Sequence, residues 1–359
     1  MVDRDLEKFC ILQGSTLGEA ARCMDKGRIG IILIVDDERR LVGTVTDGDL
    51  RRAMLGRIDL HESVEVLLVK KKGSSYARPV TASIHADPGV HLRLLQEHHL
   101  FHLPLLDDDQ RVVGLITLDE FLPQVEAPMQ AVIMAGGRGT RLYPLTEHVP
   151  KPMLPVGDRP LMEIIIEQLK EAGVKQVQIT TCHKAEKIEE HFGDGRNFGV
   201  QLSYVPEEEP LGTAGGLGLL DPPKETTLVI NGDILTQLNF QAMLMFHRIH
   251  RAVLTMAVRR YDFQVPFGVI ECEGPYVQGL SEKPSFNFFV NAGIYLLEPE
   301  VYAYISKGQR CDMTDLIQRL LDGKRQVVSF PIREYWLDIG QPGDYEQAQQ
   351  HAEGWKTSP

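Results

Sequence analysis

The sequence predicts an α/β protein in two parts: a small α+β module made of two similar halves, then a larger domain built on a mixed sheet. Three observations lead there. Residues 28–50 (RIGIILIVDDERRLVGTVTDGDL) align without gaps on residues 99–121 (HLFHLPLLDDDQRVVGLITLDEF). From Met129 onward, strand-like apolar runs alternate with amphipathic helical periods. The first of those runs ends in a glycine-rich turn, Gly136, Gly137 and Gly139.

Composition bounds the function. The 359 residues hold 38 Lys and Arg against 50 Asp and Glu, a formal net charge of −12. That length suits two domains. The 43% hydrophobic and 25% charged fractions belong to a globular chain with sizeable cores. The acidic balance argues against nucleic acid or an anionic membrane surface as partner, but leaves small anions open. The start, MVDRDLEKFC, is charged and lacks an apolar core, so no secretory signal is expected. The longest apolar run, 29–35, falls well short of the roughly 20 residues of a membrane span. Cys10, Cys23, Cys182, Cys272 and Cys311 form no CxxC pair. Free thiols and a cytoplasmic location are the expectation.

In the repeat, Asp36, Asp37, Arg40, Val42, Gly43 and Thr46 recur as Asp107, Asp108, Arg111, Val113, Gly114 and Thr117. Each copy predicts a strand, an acidic turn, a second strand and a helix start, with a helix upstream at 16–26 and 87–98. Neither half can bury both faces of its sheet alone, so the two are expected to pack together. This pattern resembles a pair of CBS motifs, the Bateman module. The resemblance implies an adenine nucleotide held by a Thr or Ser and, three residues on, an Asp. Thr46 with Asp49 fits, whereas Thr117 with Glu120 departs from the pattern. Thr46 and Thr117 serve equally well as helix N-caps, with Asp49 a first-turn acid, and both readings stand open. His98, His99 and His102 read as structural histidines, because the first copy has none there. Two prolines in LPQVEAPM place a linker at 123–128, between a regulatory module at 1–122 and a second domain at 129–359.

In that domain, 131–134, 177–181, 228–231, 254–258 and 292–297 are expected strands, and 160–173, 240–250 and 313–323 expected helices. Ligands then belong at the carboxyl ends of the strands. Three glycines in four positions after the first strand let backbone N–H groups approach phosphate oxygens. From Arg138 through Arg141 to Lys151 there are three basic residues and one acid, a local +2 within a −12 chain. That is the footprint of a polyphosphate site, although such a loop alone is neither a Walker A motif nor a dinucleotide fingerprint.

Further segments follow in order: LGTAGG (211–216), NGD (231–233), FGVIE (267–271), EKP (282–284), NAGIY (291–295) and YWLDIG (335–340). With GGRGTRLYPLT and PKPMLPV, the series resembles the sugar-1-phosphate nucleotidyltransferases over roughly 129–345, closest to bacterial guanylyltransferases. The resemblance implies a Rossmann-like mixed-sheet domain that moves a nucleotidyl group from an NTP to a sugar 1-phosphate, releasing pyrophosphate. It implies Mg²⁺ held by Asp233 and Asp338. Ala135, Gly136, Gly137, Gly139, Thr140 and Arg141 would cradle the triphosphate, with Lys151 toward the α-phosphate. Leu211, Gly212, Thr213 and Gly216 would lie beside base and ribose. Lys283 would take the sugar phosphate, and Gly268, Glu282 and Asn291 the sugar hydroxyls. Phe267 stands where many relatives carry Tyr.

The LGTAG-type loop resembles that of mannose- and heptose-1-phosphate guanylyltransferases, which implies GTP, with thymidylyl, uridylyl and cytidylyl transfer as alternatives and the sugar open among mannose, heptose, glucose and aminosugars. A catalytically inactive nucleotide sensor is the rival reading, opposed by the presence of Arg141, Lys151, Asp233, Lys283 and Asp338. About twenty residues follow Asp338, so no left-handed β-helix of the acetyltransferase fusions is expected. A homo-oligomer serving glycan biosynthesis is expected.

Overall fold

The computed structural model describes residues 6–27, 30–72, 77–98, 100–117, 120, 129–137 and 139–355. The linker expected at 123–128, His99 and Arg138 lie outside them. The chain divides into two compact units, Met1–Glu126 and Ala127–Pro359.

The first unit realises the repeat. Its first half holds β1 (Cys10–Leu12), α1 (Leu17–Gly27), β2 (Ile31–Val35), β3 (Leu41–Thr46), α2 (Asp47–Leu55) and α3 (Glu65–Lys71); the second holds β4 (Ala82–Ser83), α4 (Pro88–Glu97), β5 (His102–Leu106) and β6 (Val112–Thr117). Both sheets have the same order, β1-β2-β3 and β4-β5-β6, with a parallel then an antiparallel pair. The recurring aspartates explain the recurring turn. Asp36 Oδ1 accepts from the N–H groups of Glu38 and Arg40 at 2.9 and 2.8 Å, and Asp107 Oδ1 from those of Asp109 and Arg111 at 3.0 and 2.8 Å. The halves do pack together: Phe9, Ile31, Leu33 and Val35 share a buried cluster with Leu106, Val112 and Leu115. Val112 N–H also donates to Arg39 O at 2.9 Å.

The second unit is a mixed seven-stranded sheet. Its elements begin with β7 (Met129–Ala135), the short pair β8 (Pro155–Val156) and β9 (Arg159–Pro160), α5 (Leu161–Glu171), β10 (Gln176–Thr181), α6 (Ala185–Phe192) and β11 (Gln201–Pro206). There follow α7 (Gly212–Gly215), β12 (Thr226–Asn231), β13 (Ile234–Thr236), α8 (Phe240–Ile249) and β14 (Leu254–Gln264). The last are β15 (Val269–Glu273), β16 (Tyr276–Ser281), β17 (Ser285–Leu297), α9 (Met313–Asp322), β18 (Val327–Ile332), β19 (Trp336–Asp338) and α10 (Pro342–Trp355). The sheet order is β11-β10-β7-β12-β17-β14-β18, with β12–β17 and β14–β17 antiparallel and the other pairs parallel. Near-continuous apolar runs suit strands covered on both faces. Ile133, Leu228, Ile230 and Ile294 enter one buried cluster with α5 and α8, while Val132, Val229, Tyr295 and Leu297 enter another with α9.

Two strands are longer than their apolar runs. β14 and β17 run on as a ribbon in which Tyr261 faces Phe288 and Phe263 faces Phe286. The antiparallel β15–β16 pair lies between them in sequence, with Ile270 opposite Leu280.

Candidate functional site

The glycine-rich turn leaves the carboxyl end of β7, next to β12 in the sheet, so both strand ends open on one edge. Ala135 is buried and closes β7. Gly139 has a φ of 63°, which favours glycine, and a Cβ there would lie 3.0 Å from Thr146 Cγ2 and 3.2 Å from Lys151 Cβ. A Cβ on Gly137 would meet no described atom within 4 Å. Thr140 and Arg141 follow in a 3-10 turn, Thr140–Leu142.

Charge is concentrated where β12 ends. Asp233 follows the strand through Gly232, whose N–H donates to Met134 O at 2.9 Å. β19 pairs with β13 so that Asp338 stands opposite Ile234, and Ile339 N–H donates to Asp233 O at 3.0 Å. Trp336 Nε1 donates to Ala292 O at 2.9 Å and anchors β19 to the main sheet. Two carboxylates 105 positions apart in sequence thereby meet. Lys151 is buried, with Nζ 2.5 Å from Asp233 Oδ2 and 4.0 Å from Asp338 Oδ1. Burial, then the Asp233 carboxylate, raises the Asp338 pKa against the opposing pull of Lys151 and Arg141. Arg141 faces the same point: a Cβ on Gly340 would lie 3.8 Å from its Nη1 and 3.7 Å from Asp338 Oδ1.

Asp233 Oδ1 is buried without a hydrogen-bond partner. An orphaned carboxylate oxygen beside a second carboxylate fits a hard divalent cation such as Mg²⁺, which completes its shell with substrate oxygens and water. Among the described residues no group of three or more His, Cys, Asp or Glu is placed to hold a metal. Asp233 and Asp338 are the pair that would contribute protein ligands to such a site.

Sequence reasoning missed Glu207. It is buried at the end of β11, and Oε2 accepts the Leu211 N–H at 3.0 Å. A Cβ on Gly136 would come within 2.9 Å of its Oε1, and one on Gly216 within 2.7 Å. The two glycines thus let both loops close on one carboxylate. Gly212 has a φ of 84° and abuts Cys311 and Asp312, where a Cβ would lie 2.7 Å from Cys311 O. Thr213 is committed to the fold: its N–H reaches Asp312 Oδ1 at 3.2 Å and its Oγ1 accepts from Met313 N–H at 2.8 Å.

The expected sugar ligands fall in two places: Glu282 and Lys283 after β16, and Asn291 in β17, one residue before the Ala292 that Trp336 binds. Glu282 and Lys283 follow β16 and are exposed; Glu282 Oε2 lies 3.1 Å from where a Cβ on Gly268 would stand. Lys283 has a left-handed φ of 44° and makes no hydrogen bond or ion pair among the described residues. Phe267 is 74% exposed. Asn291 is held by its own strand, with Oδ1 accepting Gly293 N–H at 3.1 Å and Nδ2 donating to the Tyr295 hydroxyl at 2.6 Å.

In the first unit, Thr46 and Asp49 form a capping box on α2. Asp49 Oδ2 also meets Lys71 Nζ at 2.5 Å and Oδ1 meets Arg52 Nη2 at 2.7 Å. Thr117 and Glu120 make the corresponding bonds more loosely, at 3.2 and 3.3 Å. Among the described residues, His98 and His102 belong to no metal-ligating group.

Comparison with known proteins bears on both units. The CBS domain family matches residues 4–56 and 77–126. The UTP–glucose-1-phosphate uridylyltransferase of Synechocystis is 34% identical over 241 residues, 61% of this chain and 62% of that protein. The mannose-1-phosphate guanylyltransferase of Mycobacterium tuberculosis is 33% identical over 226 residues, 60% of this chain and 62% of that protein. The chain thus spans about 62% of the length of these curated relatives. A Bacillus anthracis protein crystallised with sucrose and assigned as a glucose-1-phosphate thymidylyltransferase shares the fold, with a TM-score of 0.52 and 24% identity over 63% of this chain and 95% of its own. The nucleotidyl transferase family itself matches residues 130–354, well over half of the sequence, and the chain belongs to that family.

Proposed function

We propose that the protein is a Mg²⁺-dependent sugar-1-phosphate nucleotidyltransferase, most suited to GTP, with its CBS pair as a nucleotide-responsive regulatory module. The observation that carries this reading is the Lys151–Asp233–Asp338 centre, with an orphaned Asp233 oxygen, at the strand ends beside the glycine-rich turn. A sugar-phosphate oxygen attacks the α-phosphorus of the nucleoside triphosphate. The new P–O bond forms as the α–β bridging bond breaks, and pyrophosphate carries away the electron pair. Both reactants are anions, so positioning and charge compensation supply most of the rate.

Each residue has a part in that compensation. The N–H groups of Gly136, Gly137 and Gly139 with Arg141 bind the β- and γ-phosphates, beside Ala135 and Thr140. Lys151, already among the carboxylates, turns toward the α-phosphate. Asp233 and Asp338 would hold Mg²⁺, which screens the approach of the two phosphates. Lys283 binds the sugar phosphate, and Glu282, Asn291 and the Gly268 backbone bind sugar hydroxyls. Leu211, Gly212, Thr213 and Gly216 border base and ribose.

Glu207 supports guanine. Its Oε1 has no hydrogen-bond partner among the described residues. A carboxylate suits a base edge with two adjacent donors, the guanine N1–H and N2–H₂, and disfavours uracil and thymine, whose single N3–H is flanked by carbonyls. The M. tuberculosis guanylyltransferase points the same way, while the Synechocystis uridylyltransferase keeps UTP as the competitor.

No helix among the described residues is long and apolar enough to cross a membrane. The proposal further takes the protein as a cytoplasmic homo-oligomer supplying activated sugar for glycan biosynthesis, with the regulatory unit at 1–122 and the catalytic unit at 129–359. A turnover panel crossing GTP, UTP, TTP and CTP with mannose, heptose, glucose and aminosugar 1-phosphates, with and without Mg²⁺, tests the proposal. Pyrophosphate release in some pair, lost on chelation of the metal, is expected. Nucleotide binding without release in any pair would favour a sensor instead.

A further inference from the structure

We infer that Lys184 is a positioning residue for nucleotide binding, acting through Thr146 on the glycine-rich turn. The inference rests on the proposed assignment of that turn to the triphosphate.

Lys184 breaks two local preferences at once. Its backbone is left-handed, with a φ of 57°, a conformation that L side chains rarely adopt. It also occupies the N-cap position of α6 without making a side-chain cap, so a cation stands at the helix end that favours anions. Neither choice helps α6. Both are explained by where the ammonium goes: Nζ donates to Thr146 O at 2.7 Å and to Glu147 O at 2.6 Å. Charge-assisted bonds to two consecutive carbonyls strap the segment between Arg141 and Lys151 to the end of β10.

Thr146 passes the constraint on. It is buried, and its Oγ1 donates to Gly139 O at 2.8 Å. Its methyl lies 3.0 Å from where a Cβ on Gly139 would stand, and Lys151 Cβ lies 3.2 Å from the same point. One chain of contacts, Lys184 to Thr146 to Gly139, therefore fixes the turn that presents the phosphate-facing N–H groups. Pre-organising a loop improves affinity by removing the cost of ordering it on binding. Lys184 touches no reacting atom in this account; it holds the groups that do.

The test compares full-length Lys184→Met, Lys184→Arg and Thr146→Val with the unmodified protein. Each is titrated with GTP, UTP, TTP and CTP in the presence of Mg²⁺ by calorimetry, then assayed with nucleotide and sugar 1-phosphate varied separately. Lys184→Met, which keeps length but loses the donors, should raise nucleotide Kd and KM about tenfold while leaving the sugar-phosphate KM unchanged. Lys184→Arg should restore most of the loss, because a guanidinium can still donate to both carbonyls. Thr146→Val keeps the shape but loses the hydroxyl and should fall between. A Lys184→Met protein that binds nucleotide as tightly as the unmodified chain overturns the inference, and so does an equal rise in both KM values. If Lys184→Met fails to fold, the Lys184→Arg and Thr146→Val comparison decides alone: unchanged nucleotide Kd in Thr146→Val overturns the inference. Failure of the unmodified protein to bind any of the four nucleotides overturns the assignment of the turn itself.

Discussion

The nucleotide side and the sugar side of the proposed site are built differently. On the nucleotide side, Lys151 and Glu207 are buried, Asp233 keeps an enclosed oxygen, and the loops are tied by Lys184, Thr146 and Glu207. On the sugar side, Glu282 and Lys283 are exposed, next to a two-stranded β15–β16 pair whose Ile270 and Leu280 are 55% and 69% exposed. An isolated pair of strands has little stability of its own. The contrast teaches where each task sits. Charge compensation between two phosphates needs fixed groups in a low-dielectric setting, and the ends of buried strands provide it. In the proposed assignment, sugar recognition would fall in part to exposed residues beside a surface strand pair.

If that contrast is right, its largest consequence lies at the buried centre. Asp233→Asn should lower kcat about a thousandfold or more and abolish the Mg²⁺ dependence of turnover, with nucleotide still bound. Near-normal turnover would remove the metal role from Asp233. Lys283→Met should instead raise the sugar-phosphate KM roughly ten- to hundredfold and leave nucleotide Kd alone. An equal effect on both substrates would erase the distinction between the two sides. Glu207→Gln sharpens the nucleotide side: kcat/KM for GTP should fall about tenfold while that for UTP or TTP rises, because an amide can donate to a pyrimidine carbonyl. A uniform loss for every base would reduce Glu207 to a support for the Leu211 loop.

Much of the two-part fold was legible because its signals are local. The repeat carries its own turn chemistry in Asp36 and Asp107, and the strands of the large sheet are apolar runs. The ribbon extending β14 and β17 was not legible. RRYDFQ and SFNFF offer no continuous apolar run, because much of the ribbon, including Arg260–Gln264, Phe286 and Phe288, pairs beyond the core with exposed side chains. The site divided in the same way. Asp233 and Asp338 stand in recognisable motifs, but Glu207 heads a run of three glutamates that reads as a solvated patch. Only the end of β11, which buries Glu207 and leaves Glu208 and Glu209 exposed, singles it out. Lys184 was hidden for a similar reason: its partners are backbone carbonyls nearly 40 positions away, and a carbonyl leaves no mark in a sequence.

The smallest expected effect concerns the two CBS halves. Their sequences are parallel, yet Asp49 is held by Thr46, Arg52 and Lys71, while the bonds between Thr117 and Glu120 are longer than those between Thr46 and Asp49. Burial alone would raise the Asp49 pKa, but Lys71 and the Thr46 hydrogen bonds outweigh it and leave it below the usual carboxylate value. A carboxyl whose folded pKa is depressed contributes stability above its unfolded pKa and loses it as pH falls through the folded one. Asp49→Asn should therefore cost the first unit about 1–2 kcal/mol in urea unfolding near neutral pH. That cost should vanish once the pH drops below the depressed pKa. Glu120→Gln, at an exposed position with longer bonds to Thr117, should cost less than Asp49→Asn. Nucleotide titration of the same two variants separates the readings of Thr46 and Asp49. A ribose contact at Asp49 would add a hydroxyl to its carboxylate beside Arg52 and Lys71, so Asp49→Asn would then weaken binding of AMP, ATP, GMP or GTP as well as stability. Loss of stability with unchanged nucleotide affinity would leave Asp49 as a helix cap and place any regulatory ligand elsewhere in the pair.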